Sequence, residues 1–170
     1  MKGIRRQLTL FIKPPEGTIE KIRARYNPKQ YHLIPAHVTL CKEDEIEPIV
    51  KTIERLATIT LEAPLRIRFV QIERFAAGKG VFIPSTEEYK AFQELRKLVL
   101  GQTELIREQV PHITLMHPRN STCDDKTFEQ LKRYDLPSEL EFDTICLIEQ
   151  IDGGVWTVLQ EFKIVRNKAE

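Results

Sequence analysis

Two short segments of the chain alternate polar and apolar residues in the same order. Residues 37–40 read His-Val-Thr-Leu, residues 112–115 read His-Ile-Thr-Leu, and a proline lies within two residues before each. Such alternation is typical of a β-strand with one buried face, because successive side chains point to opposite sides of a sheet. Both segments are therefore predicted as strands that bury the aliphatic pair and present the histidine and the threonine together on the other face.

The rest of the apolar pattern predicts strands and helices in alternation. Strands rich in apolar and β-branched residues are predicted at residues 7–12, 65–75 and 81–84. Helices, with apolar residues three and four apart, are predicted at residues 18–26, 44–57, 85–101 and about 128–134. A closing hairpin is predicted over residues 142–164, with its turn at Asp152-Gly153-Gly154.

Two of these helices begin with the spacing of a capping box, in which a short polar side chain caps the helix and an acidic residue follows three positions later. Asp44 precedes Glu47 in one of them, and Ser85 precedes Glu88 in the other. Gly101 follows the second helix and predicts its end, because glycine readily adopts the left-handed conformation found there.

The order strand–helix–strand occurs twice, with one histidine strand in each half. The architecture that fits this order is α+β, a bilobal and pseudo-twofold arrangement of mostly antiparallel sheets flanked by helices. With 170 residues, 41% of them hydrophobic, the chain is long enough for a sizeable core. We therefore expect a single domain over residues 1–170, since no low-complexity linker divides it.

The charge balance argues against strong overall attraction to a polyanion, because 26 basic residues face 25 acidic ones and the net charge is +1. The first thirty residues are locally basic, with only Glu16 and Glu20 as acids. This region could form a basic face for a phosphate-bearing ligand, or simply a solvated surface. Its basic residues are Lys2, Arg5, Arg6, Lys13, Lys21, Arg23, Arg25 and Lys29.

The three cysteines are widely spaced and include no CxxC pair, which argues against a zinc knuckle or a disulfide framework. Lys13 closes the apolar run that starts at Leu8, so that run is too short for a signal peptide, and no segment approaches the ~20 apolar residues of a membrane span. We expect a cytoplasmic, monomeric protein with no membrane association and no obligate protein partner.

The two imidazoles and two hydroxyls have a chemistry that suits a phosphodiester. Histidine has an ordinary pKa of about 6.5, so His37 and His112 could serve as base and acid near neutral pH. The hydroxyls of Thr39 and Thr114 could donate hydrogen bonds to phosphoryl oxygens. The alternative is that each histidine is a core residue satisfied by a backbone carbonyl. The repetition favours one shared site, which needs no cofactor.

These motifs resemble the two-histidine (2H) phosphoesterase superfamily, which includes 2′-5′ RNA ligase-like proteins and cyclic nucleotide phosphodiesterases. Its motif, H-x-[TS]-x, occurs once per lobe and matches residues 37–40 and 112–115. Three further segments resemble its opening strand, the approach to its first motif and its closing hairpin: LTLFIKPPEG, YHLIPAHVTL and LIEQIDGGVWTVLQEF. The resemblance implies a bilobal α+β fold and metal-independent opening, or reversible formation, of a 2′,3′-cyclic or 2′-5′ phosphodiester in RNA ends or nucleotides.

Several other residues near the motifs have two interpretations. Arg119 could clamp a phosphate because it follows the second motif, or it could be an ordinary surface arginine. His117 has the opposite parity to His112 and is expected to point away from the site unless the strand has ended. His32 is expected at the surface. Three aromatic side chains could stack on a base or belong to the core: Tyr31, Phe75 and Phe82.

Two other functions compete with the phosphoesterase. The first is a nucleotide- or RNA-binding module that keeps the same cleft but has little or no turnover. The second is a hydrolytic metal site with His112, His117 and Asp124 or Asp125 as ligands, although the chain has no HExxH or comparable signature. The partner expected for the leading hypothesis is a small nucleotide or an RNA terminus.

Overall fold

The computed structural model describes residues 3–166. Its strands are β1 (Ile4–Phe11), β2 (His37–Cys41), β3 (Leu65–Arg68), β4 (Glu73–Arg74), β5 (Val81–Pro84), β6 (His112–Met116), β7 (Glu139–Phe142), β8 (Thr144–Ile151) and β9 (Trp156–Lys163). Its helices are α1 (Thr18–Tyr26), α2 (Pro28–Leu33), α3 (Ile49–Leu56), α4 (Lys90–Leu100) and α5 (Asp125–Leu131).

Seven of these strands form one sheet in the order β4-β5-β6-β2-β1-β8-β9, and β3 pairs with β7 in a second sheet. Every pair of strands is antiparallel, and Val38 of β2 lies opposite Ile113 of β6. The two histidine strands are therefore neighbours in the middle of the large sheet, with β1 and β5 as their outer neighbours. The predicted α+β class, with mostly antiparallel strands and flanking helices, is confirmed.

One face of the large sheet is buried, as the alternation in the two motifs predicts. The four aliphatic side chains of the motifs are fully buried: Val38, Leu40, Ile113 and Leu115. Ile19 and Ile22 of α1 and Phe92 of α4 belong to the same core cluster. Burying each such side chain stabilises the fold by about 1.5–3 kcal/mol. The face with the histidines and threonines is only partly buried.

The most locally determined elements follow the sequence prediction closely. Helix α1 covers residues 18–26, and the Glu16 carboxylate accepts hydrogen bonds from the first two helical N–H groups. Helix α4 ends at Leu100, and Gly101 takes the left-handed conformation with φ 63°. The closing hairpin turns at Asp152 and Gly153, both of which have positive φ.

The first predicted capping box, Asp44 with Glu47, is wrong. Helix α3 begins only at Ile49, after Pro48 in an extended conformation. The Asp44 carboxylate instead forms an ion pair with Arg107 at 2.7 Å, and the Glu47 carboxylate accepts a hydrogen bond from the Ile49 N–H at 3.1 Å. A tertiary ion pair thus replaces the local cap.

The second predicted capping box, Ser85 with Glu88, is also wrong. Ser85 stays extended, because its N–H donates to the Pro111 carbonyl at 3.0 Å and it forms a β-bridge with Phe69. Helix α4 begins at Lys90 and has no side-chain cap at its N-terminus. Because Ser85 pairs with neighbouring extended segments, the helix begins five residues later than predicted.

The predicted strand over residues 65–75 is two strands. Its first part, β3, pairs with β7, and its last part, β4, pairs with β5 in the large sheet. β1 begins at Ile4, earlier than predicted, because its charged residues have partners on the neighbouring strand: Arg6 lies opposite Glu149 and forms an ion pair with it at 2.8 Å. The short elements α2 and β7 are not predicted from the sequence.

Within residues 3–166, every helix is too short or too polar to cross a membrane. The three cysteines are buried and free: Cys41, Cys123 and Cys146.

Candidate active site

The four polar side chains of the two motifs line one cleft of about 690 Å³. The pairing of Val38 with Ile113 fixes their arrangement, because β2 and β6 are antiparallel. His37 is placed opposite Thr114, and Thr39 opposite His112. Directly opposed residues on antiparallel strands have Cβ atoms about 4.5–5.5 Å apart. The structure thus brings together two imidazoles and two hydroxyls, each imidazole facing the hydroxyl of the other strand.

Both imidazoles are held by the same local hydrogen bond. Nδ1 of His37 lies 2.8 Å from the Pro35 carbonyl, and Nδ1 of His112 lies 3.1 Å from the Val110 carbonyl. A carbonyl only accepts, so Nδ1 of each ring carries the hydrogen and donates it. In the neutral ring, Nε2 is then the basic nitrogen that can exchange a proton with a ligand.

Burial favours the neutral form of both rings. It lowers the pKa of His37 to about 4, while the bond to the Pro35 carbonyl opposes this change and the positive Arg23 adds to it. Burial also lowers the pKa of His112, with a smaller contribution from the positive Lys42. Both rings are therefore neutral at pH 7 in the free protein.

Aromatic side chains pack edge-on against the two imidazoles. Phe11 of β1 lies 6.2 Å from the His37 ring, while Phe82 and Phe75 lie 5.6 Å and 6.0 Å from the His112 ring. Phe75 also lines the cleft. The remaining aromatic candidate, Tyr31, does not line the cleft. It is 37% exposed and its side chain packs on His32.

His32 is exposed on α2, where the sequence predicts a surface position. His117 lines the cleft, because β6 ends at Met116 and the parity of the strand no longer applies to the next residue. Its Nδ1 accepts a hydrogen bond from the Arg119 backbone N–H at 3.1 Å. Burial lowers the pKa of His117, and the positive Arg119 lowers it further.

Arg119 lines the cleft on the side of β6, and Lys42 lines it on the side of β2. Within residues 3–166, neither side chain has a carboxylate within 4.0 Å, so both cations are available to an anionic ligand. Sequence reasoning missed Lys42. The signal available for it is a basic residue directly after the first histidine strand.

The basic residues of the first thirty positions do not form one common face. Arg6 and Lys13 form ion pairs with carboxylates in or next to β8. Arg23 is 1% exposed and donates to backbone and carboxylate oxygens. Arg5 and Arg23 line the cleft, and Lys2 lies outside the described residues.

The structure does not assemble the alternative metal site. The Asp124 carboxylate caps α5 by accepting from the Thr127 N–H at 2.7 Å, and Asp125 forms an ion pair with Arg74 at 2.9 Å. No three His, Cys, Asp or Glu side chains between residues 3 and 166 gather as metal ligands do. Both aspartates thus have structural partners elsewhere, and neither joins the two histidines proposed as ligands.

Comparison with known proteins identifies relatives along most of the chain. A protein of Halalkalibacterium halodurans is 29% identical over 162 residues, which cover 89% of this chain and 92% of the relative. A protein of Bacillus licheniformis is 30% identical over 148 residues, covering 82% and 86%. Both carry the name "Putative phosphoesterase".

The fold is similar to that of Escherichia coli LigT. Its crystal structure in complex with 3′-AMP superposes with a TM-score of 0.56 at 12% identity, over 96% of this chain and 99% of LigT. The family model described as the 2′-5′ RNA ligase superfamily matches residues 12–154, a range that contains both histidine motifs. The chain therefore belongs to the 2′-5′ RNA ligase superfamily, the family of the 2H phosphoesterases.

Proposed function

We propose that this phosphoesterase opens a 2′,3′-cyclic or 2′-5′ phosphodiester of an RNA end or a nucleotide, with His37 and His112 as general acid and base. The observation that carries the proposal is the pair of imidazoles in one cleft, each fixed through Nδ1 and each opposite a threonine. LigT binds 3′-AMP in its crystal structure, which is the type of product expected from a 2′,3′-cyclic phosphate.

In the proposed reaction, one neutral imidazole takes a proton from water through Nε2 while the water oxygen forms a bond to phosphorus. The bond from phosphorus to the 2′ or 3′ oxygen breaks. The other imidazole, in its protonated form, gives its proton to that departing oxygen. The orientation of the departing oxygen in the cleft decides which ring is the acid and which is the base.

Binding of the substrate favours the protonated state of the imidazole that acts as general acid. Both rings are neutral at pH 7 in the free protein, because burial lowers the pKa of each. A phosphodiester carries a negative charge, and an opposite charge close to an imidazole raises its pKa. The ring next to the departing oxygen therefore binds a proton more readily once substrate is bound, and no step of this scheme requires a metal ion.

In this proposal, the remaining polar groups of the cleft bind the phosphoryl oxygens. We assign the hydroxyls of Thr39 and Thr114 the role of donating hydrogen bonds to the non-bridging oxygens, where negative charge must be held in the transition state. Lys42 and Arg119 line the same cleft and add positive charge on either side of the histidine pair. This set of donors and cations suits a phosphate group.

The test is incubation with a 2′,3′-cyclic nucleotide and with a 2′-5′-linked dinucleotide in buffer containing EDTA. We expect a nucleoside monophosphate from the cyclic substrate or cleavage of the 2′-5′ linkage, with the His112→Ala protein as the matched inactive control. Saturable binding without any product would instead identify the protein as a binding module. Activity that disappears with EDTA and returns with zinc would contradict the metal-independent scheme.

A further inference from the structure

The cleft continues beyond the histidines to the far edge of the sheet. Arg5 of β1 lies opposite Gln150 of β8, and Gln150 lies opposite Trp156 of β9. All three side chains line the same cleft as the two motifs. The cleft thus has a second end, formed by a row of residues across three neighbouring strands, which the proposed reaction does not use.

A small apolar cluster beneath the cleft connects this end to the histidines. Ile34, Cys146 and Ile148 form a small buried cluster, and both Phe11 and Trp156 pack against it. Phe11 in turn contacts the ring of His37. Of this group, Ile34 and Trp156 line the cleft, while Cys146 and Ile148 are buried beneath it. The apolar packing therefore connects the His37 imidazole to the Trp156 indole, and Ile34 offers an apolar surface between them.

The separation of the two ends indicates the length of the ligand. β1 and β8 lie between β2 and β9, so three strand spacings of about 4.8 Å, roughly 14 Å, separate His37 from Trp156 across the sheet. The register adds about 20 Å along the strands, because His37 lies opposite Phe11 of β1, whereas Trp156 is aligned through Gln150 with Arg5, six residues earlier. This is farther than the base of a nucleotide lies from its own phosphate. A base on Trp156 must therefore belong to another nucleotide of the same strand.

The chemistry of this end also suits a nucleic acid. Trp156 is partly exposed, and the Arg5 guanidinium lies 5.6 Å from the centre of its ring. Indole rings and guanidinium planes are the two side-chain groups on which single-stranded bases commonly stack. The hairpin turn next to Trp156 is fixed to β8, because the Gln150 amide donates a hydrogen bond to the Gly154 carbonyl at 2.8 Å.

The charges that line the cleft favour a polyanion over a peptide or a lipid. Four cationic side chains face the cleft, whereas Asp152 is the one acidic side chain in its described lining. The cations are spread along its length, from Lys42 and Arg119 at the histidines to Arg5 at the far end. A chain of phosphates would meet Lys42 and Arg119 at the histidines. Of the other two cations, Arg5 at the far end forms an ion pair with Glu43 at 3.0 Å, and Arg23 is 1% exposed and pairs with Glu20.

We propose that Trp156 and Arg5 form a base-stacking subsite for a nucleotide upstream of the reacting one, so that the preferred substrate is an RNA oligonucleotide rather than a mononucleotide. This inference rests on the proposed function, since it takes the phosphodiester between His37 and His112 as the reacting group. The subsite selects single-stranded RNA ends and is tolerant of sequence, because every base has a stacking face.

The chain offers a direct probe of this subsite, because Trp156 is its single tryptophan. We would titrate the protein with uridine 2′,3′-cyclic phosphate and with a uridine trinucleotide that ends in the same cyclic phosphate, and record tryptophan fluorescence together with kcat/KM. The trinucleotide is expected to quench the fluorescence saturably and to be the better substrate. Trp156→Ala is expected to reduce the trinucleotide-to-mononucleotide ratio of kcat/KM by about 5- to 150-fold, and Trp156→Phe to restore most of it.

The matched control is Leu159→Ala, which removes a 48% exposed side chain of the same strand outside the cleft lining and should leave the ratio unchanged. Turnover of both substrates without quenching, and with an unchanged ratio in Trp156→Ala, would overturn the subsite and leave the proposed function intact. Quenching and tighter trinucleotide binding without turnover would support the subsite and contradict the proposed function. Absence of both binding and turnover would contradict both.

Discussion

Each imidazole of the cleft is oriented by a single hydrogen bond to the carbonyl two residues before it. This bond fixes which ring nitrogen carries the hydrogen, so the same nitrogen, Nε2, is basic in both rings. Burial of the two rings then lowers both pKa values. A local backbone contact therefore sets the geometry of proton transfer, and burial sets the pH range in which it operates.

The pH profile follows from these shifts. The reactive state has one neutral and one protonated ring, so it is most populated between the two apparent pKa values of the coupled pair. The pKa of His37 is about 4 and that of His112 lies below its ordinary value of 6.5 in the free protein. We expect kcat/KM to peak below pH 6.5, falling on the acidic side as the base is protonated and on the alkaline side as the acid loses its proton.

The profile of kcat should lie at higher pH than that of kcat/KM, because kcat reports the complex, in which the bound phosphate raises the pKa of the rings. Both profiles can be measured with a 2′,3′-cyclic nucleotide in buffers of constant ionic strength. A kcat/KM maximum above pH 8 would contradict the assignment of two depressed imidazoles to the reacting pair.

The threonines give a second prediction at the scale of single residues. Thr39→Val and Thr114→Val keep the shape of the side chain but remove the hydroxyl donor, so each should lower kcat by about 10²–10³. Thr39→Ser and Thr114→Ser retain the donor and should retain most of the activity. Steady-state kinetics on the four variants would reject the role of the hydroxyls if valine and serine gave the same rate.

Between elements, the segment after β6 is attached to the junction of α1 and α2 by one buried side chain. Asn27 is 1% exposed, and its Oδ1 accepts a hydrogen bond from the His117 N–H at 2.8 Å. Its Nδ2 donates to Oδ1 of Asn120 at 2.9 Å. One amide thus holds both ends of the segment that carries Arg119 into the cleft.

Removing that amide should weaken the fold and the site together. We expect Asn27→Ala to lower the free energy of unfolding by about 1–3 kcal/mol, because it leaves the partly buried His117 N–H without its acceptor. Asn27→Asp keeps the acceptor for the His117 N–H but buries a carboxylate and replaces the donor to Asn120 Oδ1 with an acceptor, so it should lose at least as much. Urea unfolding of the two variants checks this, and an Asn27→Ala protein as stable as the wild type would show that the contact contributes nothing.

The elements that the sequence predicts well are those whose signals are local. The alternation in β2 and β6, the apolar spacing of α1 and the turn of the closing hairpin all depend on residues close together in the chain. Asp44 and Ser85 fail as caps because distant partners, Arg107 and the Pro111 carbonyl, compete for them. The same reason explains β7, a four-residue strand that is half polar and is stabilised by pairing with β3.

At the scale of the whole molecule, the sheet order turns two separate motifs into one site. The sequence predicts that His37 and Thr39 share a face, but not that Val38 pairs with Ile113 in the middle of a seven-stranded sheet. That pairing depends on contacts between segments far apart in the chain, which no local pattern encodes. For the same reason the sequence does not reveal that Trp156, from the edge strand β9, lines the same cleft.

The most direct test of the central claim is the rate of phosphodiester hydrolysis in His37→Ala, in His112→Ala and in the double variant, measured as kcat/KM with a 2′,3′-cyclic nucleotide in EDTA. Each single variant should lose about 10²–10⁴ in rate, and the double variant should fall little further, because the two rings act in one proton transfer. His32→Ala, an exposed histidine outside the cleft, should match the wild type. A double variant that hydrolyses the substrate at the wild-type rate would contradict the account.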